Sequence, residues 1–160
     1  MIPLGSMKLQ LDWLPEKPDF ELFHVYCHQK DYRLCHALNE HFKCDFKRIS
    51  DFAEDKDRPH LPTYSQFTYS DNITHKEYFL ISNQPCVKEL VTREGDLFPA
   101  EQPELLIPEV SKVDYFFQLY GQFEDHELLD IEEQLNLIPM VNAAKRVDTE
   151  SLKAYLNLMH

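Results

Sequence analysis

Glycine is nearly missing from this chain. Its 160 residues hold three, Gly5, Gly95 and Gly121, none near another. The phosphate-cradling loops of Rossmann and P-loop enzymes need several glycines close together, so both are excluded. The Gly-x-Ser-x-Gly nucleophile elbow is excluded on the same ground. Positive charge is also scarce: 16 Lys and Arg face 28 Asp and Glu, for a formal net charge of -12. Nucleic acids and anionic membranes are bound largely through Lys and Arg, so neither is an expected partner. Apolar runs are short, as in Tyr78-Phe79-Leu80-Ile81. A membrane-spanning helix takes roughly 20 apolar residues. The first residues lack the basic start and long apolar core of a secretory signal, and the last show no lipidation motif. The expected location is cytoplasmic. Gly5-Ser6 ahead of Met7 has the look of a cloning remnant. One domain is therefore expected over residues 7–160, with 1–6 as remnant or lead-in.

No pair among the four cysteines, Cys27, Cys35, Cys44 and Cys86, has Cys-x-x-Cys spacing. A chain this long builds a core without disulfide staples, so buried reduced thiols are expected. The densest His/Cys region is His24, Cys27, His28, Cys35, His36, His41 and Cys44. A zinc site needs three or four such groups converging on one point. Cys27 and His28 point to opposite faces of a strand, and Cys35 and His36 diverge by about 100° on a helix. A site from Cys27, Cys35 and Cys44 stays open, because a helix packs beside the strand that precedes it. His126 and Asp130 share a helical face, but Asp replaces the second histidine of the zinc-protease pattern and no third ligand is identifiable. No metal and no cofactor is expected.

What the chain does have is apolar and aromatic substance: 43% hydrophobic residues, with 11 Phe, 8 Tyr and one Trp. Much of this must be core, and a remainder suits a protein interface. Phe20 to Cys27 reads as a strand apolar on both faces, hence central. Asp31 reads as a helix N-cap, and Leu34, Cys35, Leu38, His41 and Phe42 give one face of a helix over 31–43. Cys44–Asp51 reads as a strand, 51–62 as a loop, and Tyr64–Tyr69 and Glu77–Asn83 as antiparallel strands. Val87–Arg93 reads as a further strand before a turn at Gly95-Asp96, followed by a proline-rich connection to Pro108. Val113–Tyr120 is the clearest strand, with Val113, Tyr115, Phe117 and Leu119 on one face. Leu128, Ile131, Leu135 and Ile138 give a helix over 125–137, stopped by Pro139. Val141–Val147 alternates as a half-buried strand. A final helix from Asp148 or Thr149 turns Leu152, Tyr155 and Leu156 inward. The fold class is α+β: a mainly antiparallel sheet with helices. Its two strand-helix-strand units resemble a ferredoxin-like sandwich with inserted hairpin strands.

Ile107-Pro108-Glu109-Val110-Ser111-Lys112-Val113-Asp114-Tyr115 fits the string Ile-Pro-Glu-x-x-x-Val-Asp-Tyr at all six specified positions. Asp31-Tyr32-Arg33-Leu34, Leu38-Asn39 and Leu80-Ile81-Ser82-Asn83 are further segments of the same likeness. Over roughly Phe20 to Leu156 the chain resembles the IPExxxVDY family, small proteins found mainly in Bacteroidota. The resemblance implies no reaction, cofactor or partner.

Within the string, Asp114 stands on an otherwise aromatic strand face and needs a partner if buried. Backbone N–H groups or an arginine such as Arg33 would satisfy it or Glu109. The other reading is a recognition surface of Glu109, Asp114 and Tyr115. Glu124 to Glu133 adds six carboxylates and no Lys or Arg. That suits a solvated helix face, or docking to a basic partner with faster encounter. The leading expectation is a non-enzymatic interaction or adaptor domain that binds another protein, or itself through sheet edges. The second is a small-molecule or enzymatic domain with Asp31, Arg33, Asp114 and Tyr115 in a pocket.

Overall fold

The computed structural model describes residues 19–86, 104–148 and 151–160. The expected strand at Val87–Arg93, the turn at Gly95-Asp96 and the lead-in lie outside these residues. The elements are β1 Glu21–Tyr26, α1 Asp31–Phe42, β2 Lys47–Phe52, β3 Tyr64–Asp71, β4 Lys76–Pro85, β5 Tyr115–Tyr120, α2 Asp125–Leu137 and β6 Ala143–Arg146. Short 3-10 segments run over Pro108–Val110 and Ser151–Leu158.

All six strands form one sheet in the order β2-β3-β4-β5-β1-β6, and every neighbouring pair is antiparallel. Strands β5 and β6 flank β1, so they run parallel to each other and are joined through α2. Strand β1 is joined through α1 to β2 at the far edge. The two strand-helix-strand units are thus interleaved, as in a ferredoxin-like sandwich, and the β3–β4 hairpin is inserted between β2 and β5. The α+β reading holds, including the hairpin extension of the sheet.

Alternation along the strands separates two cores. Phe23, Val25, Phe67, Leu80, Tyr115, Phe117 and Leu119 face α1 and α2, meeting Leu34, Leu38, Leu128 and Leu135. Leu22, Phe79, Ile81 and Phe116 face the other way, where Ile107, Val113, Leu152, Tyr155 and Leu158 cover them. Helix α2 matches its expected bounds because Leu128 and Leu135 bury one face and Pro139 follows at once.

Three expectations are corrected here. Asp31 is the first helical residue and not the cap. Lys30 holds the extended N-cap position, and Asp31 Oδ1 accepts from the N–H of Tyr32 at 2.7 Å. Strand β5 begins at Tyr115, so Val113 precedes the alternation and packs on the opposite core from Tyr115. The final segment is 3-10 and not α. The backbone kinks at Tyr155, and Leu152, Tyr155 and Leu158 are buried while Leu156 turns outward at 39% exposure.

Candidate functional site

The 107–115 string is woven into the fold. Asn83, fully buried at the end of β4, donates through Nδ2 to the carbonyls of Val113 at 2.8 Å and Val110 at 3.2 Å. Its Oδ1 accepts from the N–H of Ile107 at 2.9 Å. One amide group therefore braces both ends of the 3-10 turn, while Ile107 and Val113 enter the core. Asp114 Oδ2 accepts from the N–H of Cys27 at 2.8 Å and lies 3.9 Å from His28 Nδ1, so its neighbours are a backbone group and a histidine and not Arg33. The Tyr115 hydroxyl donates to the Gln29 carbonyl at 2.6 Å. Burial, and then Asp31, Cys27 and Asp114, keep that phenol protonated. Glu109 and Arg33 are exposed. Arg33 reaches Gln29 Oε1 at 3.4 Å, and Asp31 lies 3.6 Å from Arg48 Nη1. Asp31, Asp114 and Tyr115 thus gather around the β1–α1 loop, and the exposed Arg33 meets that loop at the Gln29 side chain.

Two other asparagines do similar work. Asn39 accepts from the N–H of Phe46 at 2.6 Å and donates to its carbonyl at 3.2 Å, fixing the α1–β2 connection. Asn136 pairs in the same two-way fashion with Ala144, both bonds at 2.9 Å.

The thiols are held as local donors. Cys35 lies 3.6 Å from the Phe46 carbonyl and Cys44 3.5 Å from Asn39 Oδ1. Burial pushes both thiols up to about 11, aided at Cys35 by Cys44 and at Cys44 by Asp45. Such protonated thiols are poor nucleophiles and poor metal ligands. Among the described residues no three His, Cys, Asp or Glu side chains converge on a point suited to a metal. No helix of the described residues is long and apolar enough to cross a membrane.

The acidic run of α2 is partly neutralised from within. Lys76 Nζ lies 2.8 Å from Glu127 Oε2. Arg146 reaches Asp125 at 3.6 Å through Nη1 and donates its backbone N–H to Glu132 at 2.8 Å. Glu124 sits 3.1 Å from His126, and Asp130 and Glu133 are exposed.

Beside this run, on the helix side of the sheet, lies a cavity of about 220 Å³. Its walls are Phe42, Cys44, Phe46, Tyr69, Asp71, Tyr78, Phe117 and Ile131. Strands β3 and β4 bring Tyr69 and Tyr78 opposite each other, with ring centroids 5.6 Å apart. A more open depression shares Tyr78 and Ile131 with it and continues along Lys76, Phe123, Glu127 and Asp130. The cavity includes none of Asp31, Arg33, Glu109, Asp114 or Tyr115 in its wall. Its residues come from five parts of the chain, so no sequence spacing could announce it. The usable signal was an aromatic surplus beside an acidic helix.

Comparison with protein-family models, with curated proteins and with solved structures gave no match for this chain.

Proposed function

We propose that this chain is a non-enzymatic interaction domain that binds a basic partner protein across α2 and the adjoining aromatic cavity. The observation that carries the reading is the juxtaposition of an aromatic-walled recess with the exposed carboxylate Asp130 of α2, which lines the depression continuous with it. Interfaces concentrate their affinity in pockets that take a side-chain anchor, and rim charges of opposite sign speed encounter. The 107–115 string, which carries the likeness to the IPExxxVDY family, serves in this reading as a brace for the fold. The braces at Asn83 and Asp114 support that division of labour.

The test is affinity capture from native lysate with the wild type, an Asp130→Lys/Glu133→Lys variant and a Glu109→Lys variant. Basic proteins bound by the wild type and by Glu109→Lys, but lost with the α2 variant, are the expected result. An unchanged set in the α2 variant, or loss with Glu109→Lys alone, refutes the reading.

A further inference from the structure

The cavity beside α2 has a chemical preference of its own. Around it Phe46 stands 5.8 Å from Tyr69 and 6.4 Å from Tyr78, centroid to centroid, and Phe117 stands 6.2 Å from Tyr78. Aromatic faces carry partial negative charge and attract cations, most strongly where water is excluded. Asp71 adds a carboxylate to the wall. Its Oδ1 accepts from the N–H of Ile73 at 2.9 Å, which fixes its position in the β3–β4 turn. A hydrogen bond from Thr74, then the Ile73 N–H and, to a smaller degree, Lys76, hold it below the usual carboxylate range. No Lys or Arg lines the cavity.

Burial first, then Asp71, Tyr69, Glu127 and Cys44, push the Tyr78 hydroxyl up to about 12. The adjoining depression already holds an ammonium in this manner. Lys76 Nζ sits 4.5 Å from the centroid of Phe123 and 2.8 Å from Glu127 Oε2. That cation has its own carboxylate, whereas the deeper cavity has aromatic faces and Asp71. At about 220 Å³ the cavity is smaller than the roughly 300–1,000 Å³ that drug-sized ligands occupy. It suits one long side chain better than a cofactor.

The geometry points to an alkylammonium group, the end of a lysine side chain on the basic partner, as the occupant of the cavity between Phe46, Tyr69, Tyr78 and Asp71. The inference rests on the interaction reading given above. It gives that reading an anchor residue and a reason for the acidic surround.

The experiment titrates n-butylammonium and its neutral isostere n-butanol into isotopically labelled protein. Ring resonances of Phe46, Tyr69 and Tyr78 are followed by NMR. Butylammonium is expected to shift these rings and to bind at least about tenfold more tightly than butanol, which corresponds to about 1.4 kcal/mol. Asp71→Asn is expected to remove most of that difference. Asn retains an oxygen for the Ile73 N–H, so the turn is kept, and circular dichroism checks the fold. Equal binding of the two probes, or ring resonances that do not respond, overturns the inference. A hexalysine peptide separates the two proposals. If it binds through the α2 acids while the rings stay silent, the ammonium site falls and the docking of a basic partner on α2 stands. If butylammonium behaves as expected and the peptide does not bind, the interaction reading falls and the cavity stands as an amine site.

Discussion

Replacing Asn83 with Ala is the sharpest perturbation of the brace around the 107–115 string. The substitution removes three side-chain hydrogen bonds, to the carbonyls of Val110 and Val113 and from the N–H of Ile107. A hydrogen bond contributes about 1 kcal/mol net, and a buried group left unpaired costs about 1–3 kcal/mol. The bonds to Val113 and Ile107 are buried, so their partners cannot turn to water. The expected loss is about 3–5 kcal/mol, against a typical domain stability of about 5–15 kcal/mol. At about 2–4 °C per kcal/mol for a chain of this size, Tm falls by about 6–20 °C. Urea unfolding followed by circular dichroism gives the midpoint directly. With a slope near 2 kcal/mol/M, the midpoint drops by about 1.5–2.5 M. Glu109→Ala is the control from the same string. Its side chain is exposed, so its effect stays within about 0.5 kcal/mol. A midpoint for Asn83→Ala within about 0.5 M of the wild type, at unchanged slope, refutes the bracing argument.

Other expectations follow from the same contacts. Asp114→Ala should cost about 1–2 kcal/mol by freeing the Cys27 N–H, and Asp114→Asn should restore most of it by keeping an acceptor, as read from urea midpoints. Stability should decline as pH falls below 6.5. Burial lowers the pKa values of His24 and His160, so the unfolded chain binds more protons there. Midpoints at pH 7.5 should exceed those at about pH 5.5, and His24→Gln should reduce the slope; a flat profile through this window contradicts it. Cys35 and Cys44 should resist iodoacetamide at neutral pH in the native protein and react in urea, followed by mass spectrometry, because both thiols sit near 11. Native alkylation at the free-thiol rate contradicts it.

How far the sequence reveals this molecule depends on the kind of signal. Helix α2 was legible to the residue, since its apolar spacing ends against Pro139. Central β1 was legible because both of its faces are apolar. The last segment was not, because spacings of three and four coincide over one turn. Leu158 is buried where Leu156 is not, after a kink at Tyr155 that leaves no mark in the spacing. The Asp114 acceptor role was legible as a need, but its donor, the Cys27 N–H just past β1, is set by tertiary pairing. Grouping Arg33 with Asp114 failed because helix phase sends Arg33 to solvent. The aromatic cavity was illegible for a different reason. Alternation marks Tyr69 and Tyr78 for the inner face, but only the placement of α1 and α2 decides where that face remains uncovered.

The interleaved strand order also dictates a sequence of events during folding. Strands β2, β3, β4 and β5 pair with their neighbours in the chain, and each closes only the loop between them. Strand β1 instead meets β5 and β6, with Glu21 opposite Leu119 and Phe23 opposite Arg146. Its partners arrive about a hundred residues later, and closing such distant contacts is the slow part of assembling a sheet. On the ribosome β1 emerges before any strand it pairs with, carrying Leu22, Phe23 and Val25 on its two apolar faces. A strand apolar on both faces and flanked on both sides in the finished sheet is thus left without its partners for most of synthesis, and the sheet closes only when β5 and β6 come to either side of it.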